Sequence, residues 1–329
     1  MKLEKTIRAF VAAVVMAAPA QASLAAAAQT AAATPQSAAR VMTDEVGHQV
    51  SLPAEVHRIV SIAPNLTETL YALGVESLLV ADTQYCDFPP EAKLKPHVGV
   101  PLNPSLESIV TLRPDLILAT TAINRLSTVE SLERLGLAVY STDPRTVDGM
   151  LTGVERLAEA IGVGERGEEL VSGLRGQLQA IDAAVQHEPP SRVLFVVWES
   201  PLISIGPKTF IADALRHAGA ESVIKSKEDW PNVTPEEVVR LRPDYLVYAG
   251  SHGDETTSLN KLRERSGWKD LPAVKEGHLV MISDEIDRPA PGLVGAIEEL
   301  AKKLHPGVFP SARTLVTPVR QQLKQEKAD

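Results

Sequence analysis

The chain has 329 residues, a formal net charge of −9 and only 4% aromatic residues. That length is enough for two domains of ordinary size, and the acidic balance excludes the basic surface that a nucleic-acid binder presents. A single cysteine, Cys86, excludes an internal disulfide, so stability has to come from buried apolar core.

Lys2, Lys5 and Arg8 precede the apolar run Ala9–Ala18, and Ala20-Gln-Ala22 supplies the small residues of a cleavage site. Residues 1–22 therefore read as a secretory signal peptide, too short in its apolar run to span a bilayer. No cysteine lies near the cleavage region, so no lipid attachment is expected there, and a soluble periplasmic protein follows. Residues 23–42, rich in Ala, Gln and Ser, read as a flexible leader.

From Thr43 to Pro53 the pattern is a short hairpin with Gly47 at its turn. Ile59–Ile62 is a buried strand. Pro64-Asn-Leu-Thr67 leads into a helix over Glu68–Leu73 that Gly74 closes. Strands follow at Leu78–Ala81, Leu116–Ala119 and Ala138–Ser141, with helices at Leu106–Leu112 and Val129–Leu135 between them. Alternation of this kind implies parallel strands covered by helices. Residues 147–161 and about 165–186 are then helical with almost no breaker, and Leu170, Leu174, Leu178 and Ile181 form one apolar stripe. The second of these helices is roughly 33 Å long at 1.5 Å per residue. Glu188-Pro-Pro190 ends it.

The strand-helix pattern then begins again. Glu107-Ser-Ile-Val-Thr-Leu-Arg-Pro-Asp-Leu-Ile-Leu-Ala119 returns as Glu236-Glu-Val-Val-Arg-Leu-Arg-Pro-Asp-Tyr-Leu-Val-Tyr248, a constant 129 residues later. Three more segments echo in the same order: Arg58–Ala63 at Arg192–Val197, Ala72–Ser77 at His217–Ser222, and Gly136–Asp143 at Gly277–Asp284. A single long duplication means two similar lobes with a cleft between them. The expected organisation is a first lobe over 43–145, connecting helices over 146–188, a second lobe over 189–306 and a polar tail over 307–329.

Asp44…Gly47…Leu52-Pro53…Arg58-Ile-Val-Ser-Ile-Ala-Pro64, Thr67-Glu68…Leu73-Gly74, Asn103-Pro-Ser-Leu-Glu107 and Leu112-Arg-Pro-Asp115 together resemble one family. It is the group of ABC-importer substrate-binding proteins whose lobes are joined by a rigid helix, and which carry cobalamin, heme or ferric siderophores. The resemblance covers about residues 43–305 and is nearest to the cobalamin-binding type. It implies class III periplasmic binding protein architecture: two Rossmann-like α/β lobes with parallel sheets joined by a long inter-lobe helix. It implies no catalysis and no intrinsic cofactor, with a corrinoid such as cobalamin as the transported ligand and heme or a ferric siderophore as the alternative. A permease dimer with its ATPase subunits is the implied partner of a monomeric carrier. The type's two first-lobe tryptophans are replaced here by Pro101 and Thr120, and its disulfide is absent, with alanine at 218 and 301.

For single residues the resemblance stands beside plainer accounts. Tyr85, Trp198, Trp230, Asp284 and Arg288 are the implied ligand contacts, because flat apolar side chains suit a corrin or porphyrin and a guanidinium binds amides or carboxylates. Trp198 fits core at a strand end equally well, Asp284 fits a turn cap, and Arg288 fits a local salt bridge. Glu107 and Glu236 are the implied docking pair, though a carboxylate in a first helical turn also favours the helix dipole. Cys86 reads as a small buried residue more readily than as a metal ligand, and the eight histidines show no metal spacing. An exported α/β enzyme is the rival class. The sequence offers it no glycine-rich phosphate loop and no Gly-x-Ser-x-Gly elbow.

Overall fold

The computed structural model describes residues 40–250, 255–264 and 267–309. The expected signal peptide, the leader before Arg40 and the tail beyond 309 lie outside the described residues. In the first half the chain forms β1 (Arg40–Thr43), β2 (Gln49–Leu52), β3 (Ile59–Ser61), α1 (Pro64–Ala72), β4 (Leu79–Ala81), β5 (Gly99–Val100), β6 (Asn103–Pro104), α2 (Leu106–Leu112), β7 (Leu116–Thr120), α3 (Leu126–Arg134) and β8 (Val139–Thr142). The long helices α4 (Val147–Ile161) and α5 (Gly164–Val185) follow. The second half is β9 (Ser191–Val196), β10 (Trp198–Glu199), β11 (Leu202–Ile203), α6 (Phe210–His217), β12 (Ala220–Ser222), α7 (Pro235–Leu241), β13 (Tyr245–Ala249), α8 (Glu255–Glu264), α9 (Pro272–Lys275), β14 (Leu279–Ile282) and α10 (Leu293–Leu304).

Two four-stranded parallel sheets result, ordered β4-β3-β7-β8 and β12-β9-β13-β14. In each, the lobe's first two strands lie in reversed order and its third and fourth follow, so the duplication read from the sequence is a duplicated topology. It extends to atoms. Arg58 Nη2 donates to the Leu112 carbonyl at 2.7 Å, and Arg192 Nη2 to that of Leu241 at 2.8 Å. Gly136 and Gly277, which precede the last strand of each sheet, both take positive φ.

Strand alternation assigns each residue to a face. Val193 and Phe195 of β9 point to one side, and Leu194 and Val196 to the other. Leu116 and Leu118 of β7 are likewise separated from Ile117 and Ala119. The outer face of each sheet has its own apolar cluster, whereas the two inner faces share one. That shared core runs from Leu70 and Tyr140 in the first lobe through α4 and α5 to Phe195 and Val280 in the second.

Three expectations shift. The first strand begins at Arg40, within the stretch expected to be leader. Helix α1 begins at Pro64 rather than near Glu68, because proline's missing N–H is no loss in a first turn and its fixed φ suits a helix start. On α5 the buried stripe is Val171, Leu174, Leu178, Ile181 and Val185, with Leu170 at its edge.

Helices α4 and α5 approach closely because Gly167 faces Ala158, where a Cβ on the glycine would fall 2.4 Å from the alanine's. Overpacking of this kind costs about 1–3 kcal/mol. Gly167→Ala therefore lowers stability in chemical denaturation, although alanine is the better helix former by about 1 kcal/mol, and adding Ala158→Gly recovers most of the loss. A Gly167→Ala protein as stable as the parent would show that the two helices are not close-packed there.

Candidate functional site

In open parallel sheets, ligands bind beyond the carboxyl ends of the strands, where the strand order reverses. The candidate residues follow that rule in both lobes. Tyr85 lies in the loop after β4, Trp198 opens the short β10 just beyond β9, Trp230 lies in the loop between β12 and α7, and Asp284 and Arg288 follow β14. Two of the second-lobe loops are tied to the first lobe: Arg145 Nη1, beyond β8, donates to Asp229 Oδ2 at 3.0 Å, and Asn65 Nδ2, beyond β3, to the Pro289 carbonyl at 3.4 Å. The carboxyl edges of the two sheets therefore border one cleft.

Three aromatics stand out from the surface here: Tyr85 and Trp198 are each 61% exposed and Trp230 is 44% exposed. Trp198 is thus not core. The chain does bury other large aromatics completely, Trp268 and Tyr140 among them, so exposure is not the fate of every ring. Backbone bonds brace the loop that carries Trp230. Gly206 N–H donates to the Asp229 carbonyl at 2.8 Å and Ser204 N–H to that of Pro231 at 3.1 Å, fixing the loop on both sides of Trp230. Only glycine permits that approach, since a Cβ at 206 would meet the Glu228 carbonyl oxygen at 2.0 Å. The Trp198 indole donates to the Ser200 carbonyl at 2.9 Å.

Cys86 is buried beneath the Tyr85 loop, with Thr67 Oγ1 and Thr83 Oγ1 each 3.2 Å from its sulfur. Burial pushes the thiol pKa up, which keeps it protonated. It acts as the loop's anchor, and among the described residues no group of three metal-ligating side chains exists.

Pro101 and Thr120, the two departures from the cobalamin-binding type, are both buried. Asn124 ties them together: its side-chain amide donates to the Ile62 and Pro101 carbonyls at 2.9 Å, and its oxygen accepts the Thr120 N–H at 2.8 Å. These positions are scaffold at the strand ends.

Arg288 proves to be a seam residue. Its side chain is 18% exposed and lies 3.2 Å from Asp284, 3.4 Å from Glu68 and 3.8 Å from Asp87. The local pair with Asp284 expected from the sequence is present, but Glu68 and Asp87 come from the other lobe. Glu68 Oε1 also accepts the Gly292 N–H at 3.2 Å. Burial pushes the Glu68 pKa up to about 7, with Arg288 pulling it down and Glu285 opposing that pull. Asp287 is pushed up as well, by desolvation of its carboxyl group first and by Asp284 second, although the residue as a whole is exposed. One cation therefore stands among several carboxylates. Glu68, Asp87 and Asp287 were not singled out from the sequence. Thr67-Glu68 was visible as a motif, but no local signal marks a carboxylate that will be buried against an arginine 220 residues away.

Glu107 and Glu236 sit apart from this cleft chemistry, on the exposed first turns of α2 and α7. Neither carboxylate enters an ion pair among the described residues.

Comparison with known proteins agrees with the two-lobed fold. Residues 59–286 match the periplasmic binding protein family. A vitamin B12-binding protein of Vibrio vulnificus is 29% identical over 252 residues, covering 76% of this chain and 90% of that protein. The crystal structure of the periplasmic vitamin B12 binding protein BtuF of Vibrio cholerae superposes with a TM-score of 0.69 at 27% identity, covering 76% of this chain and 96% of that one. A periplasmic heme binding protein from Pseudomonas aeruginosa gives a TM-score of 0.68 at 25% identity, covering 80% of this chain and 96% of that one. The chain belongs to the periplasmic binding protein family: it is an extracytoplasmic substrate-binding component of an ABC transporter, and not an enzyme.

Proposed function

We propose that this protein binds cobalamin or a related corrinoid in the inter-lobe cleft and delivers it to a membrane permease, with Glu107 and Glu236 as the docking pair. The observation that carries the ligand is the set of exposed aromatics, Tyr85, Trp198 and Trp230, contributed by both lobes to one cleft. Exposed rings of this size forgo the burial that stabilises other aromatics, and a flat macrocycle restores it with little rotamer entropy to lose. The charge around Arg288 favours the corrinoid over its rivals. Asp87 and Asp284 are half-exposed beside a guanidinium already engaged by Glu68. A neutral ligand edged with amides meets donors and acceptors there, whereas the carboxylates of heme or a siderophore meet like charge.

Heme is the second reading, and Tyr85 is what favours it, since an exposed phenol at a cleft mouth suits an axial iron ligand. For localisation we propose a soluble periplasmic protein, although a substrate-binding relative in Bacillus subtilis is a lipoprotein.

Visible spectra and thermal shifts of the purified protein with cyanocobalamin, hemin and ferric siderophores test the ligand. Cyanocobalamin at 100 times its Kd stabilises by about 2.7 kcal/mol, and Trp230→Ala weakens its binding by about tenfold, ~1.4 kcal/mol. Stabilisation by hemin alone would overturn the corrinoid assignment. For docking, Glu107→Lys with Glu236→Lys abolishes uptake into whole cells and leaves the ligand Kd unchanged; a weakened Kd would place these residues in the site instead.

The seam carboxylate gives a pH signature. Glu68 has a folded-state pKa of about 7, above the unfolded value of about 4.3. Its contribution to stability is therefore full below the unfolded value and is lost as pH rises through about 7. Glu68→Gln, which cannot ionise, shrinks the drop in melting temperature between pH 5 and pH 8. A change of 1 kcal/mol corresponds to roughly 2–4 °C at this size. Superimposable pH profiles for the two proteins would remove Glu68 from this role.

A further inference from the structure

Helices α2 and α7 are held in the same way. Ser105 Oγ accepts the Ser108 N–H at 3.2 Å, and Thr234 Oγ1 accepts the Glu237 N–H at 3.2 Å. Each helix is closed by an arginine in the left-handed region, Arg113 at φ 46° and Arg242 at φ 48°. Each rests on one fully buried residue, Ile109 or Val238. The two surfaces are therefore directly comparable, position by position.

Their solvent faces have otherwise drifted apart. Leu106 stands opposite Pro235, Ser108 opposite Glu237 and Thr111 opposite Arg240. Within each helix the exposed positions that keep their residue are Glu107 with Glu236 and Val110 with Val239. The valines are 43% and 39% exposed. A spacing of three puts each valine beside its glutamate on one helix face. A lone exposed valine needs no explanation. The same valine twice, next to the same carboxylate, on two helices whose other exposed positions have become polar or changed chemistry, does.

We infer that Val110 and Val239 are the apolar anchors of the docking surface, each entering a recess beside a cationic group on one of two equivalent halves of the permease. This rests on the reading that Glu107 and Glu236 dock. The two residue types divide the work: rim charges steer encounter and set its salt dependence, while desolvated apolar contact governs dissociation.

The test is binding kinetics of the full chain on its ABC permease with ATPase subunits in lipid nanodiscs. Val110→Ser with Val239→Ser raises the dissociation rate by about tenfold and leaves the association rate and its salt dependence unchanged, with the melting temperature and ligand Kd as in the parent. Glu107→Lys with Glu236→Lys lowers the association rate. If the valine pair leaves dissociation unchanged while the charge reversal impairs binding, the valine inference fails and the docking reading stands. If neither pair alters binding, the docking reading fails and takes the valines with it.

Discussion

Everything in the cleft depends on how the two lobes are kept apart, and that is the burial of α5. Its stripe from Val171 to Val185 is covered by apolar side chains belonging to a core common to both inner sheet faces. Gly167 against Ala158 brings α4 into the same layer without a gap. Each Å² of apolar area kept from water contributes about 25 cal/mol, so exposing this stripe opposes separation of the lobes. The carboxyl edges of the sheets are thereby fixed opposite each other, and side chains that share no sequence neighbourhood become a site.

Within that frame, the two lobes line the cleft with different side chains. The first lobe supplies Tyr85, held over the buried Cys86, and the buried Glu68. The second supplies two tryptophans and Arg288. The arginine's partners come from both sides of the cleft, so its position is defined by lobe spacing as much as by its own loop. A carboxylate buried this deeply is raised in pKa by desolvation, and the facing cation only partly offsets that.

The sequence carried the fold to the level of topology, because strand alternation, glycines after helices and a 129-residue echo are all local or periodic signals. It placed Tyr85 and Trp230 on loops and Glu107 and Glu236 at helix starts, where they are found. It left Trp198 undecided, since an aromatic at a strand end is equally at home in a core, and only tertiary packing exposes it. It shows Glu68 as part of a motif but gives no sign that the carboxylate is buried. Its burial depends on Gly292 and Arg288, which lie 224 and 220 residues further along the chain, and no pattern within the helix records that.

The shared core also bears on how the molecule comes apart. Two lobes with separate interiors would melt as separate units, each protected by its own apolar cluster. Here the inner face of either lobe is completed by α4, α5 and the other lobe, so either half on its own leaves an apolar wall in water. Opening either lobe therefore uncovers apolar surface of the other, which couples their unfolding.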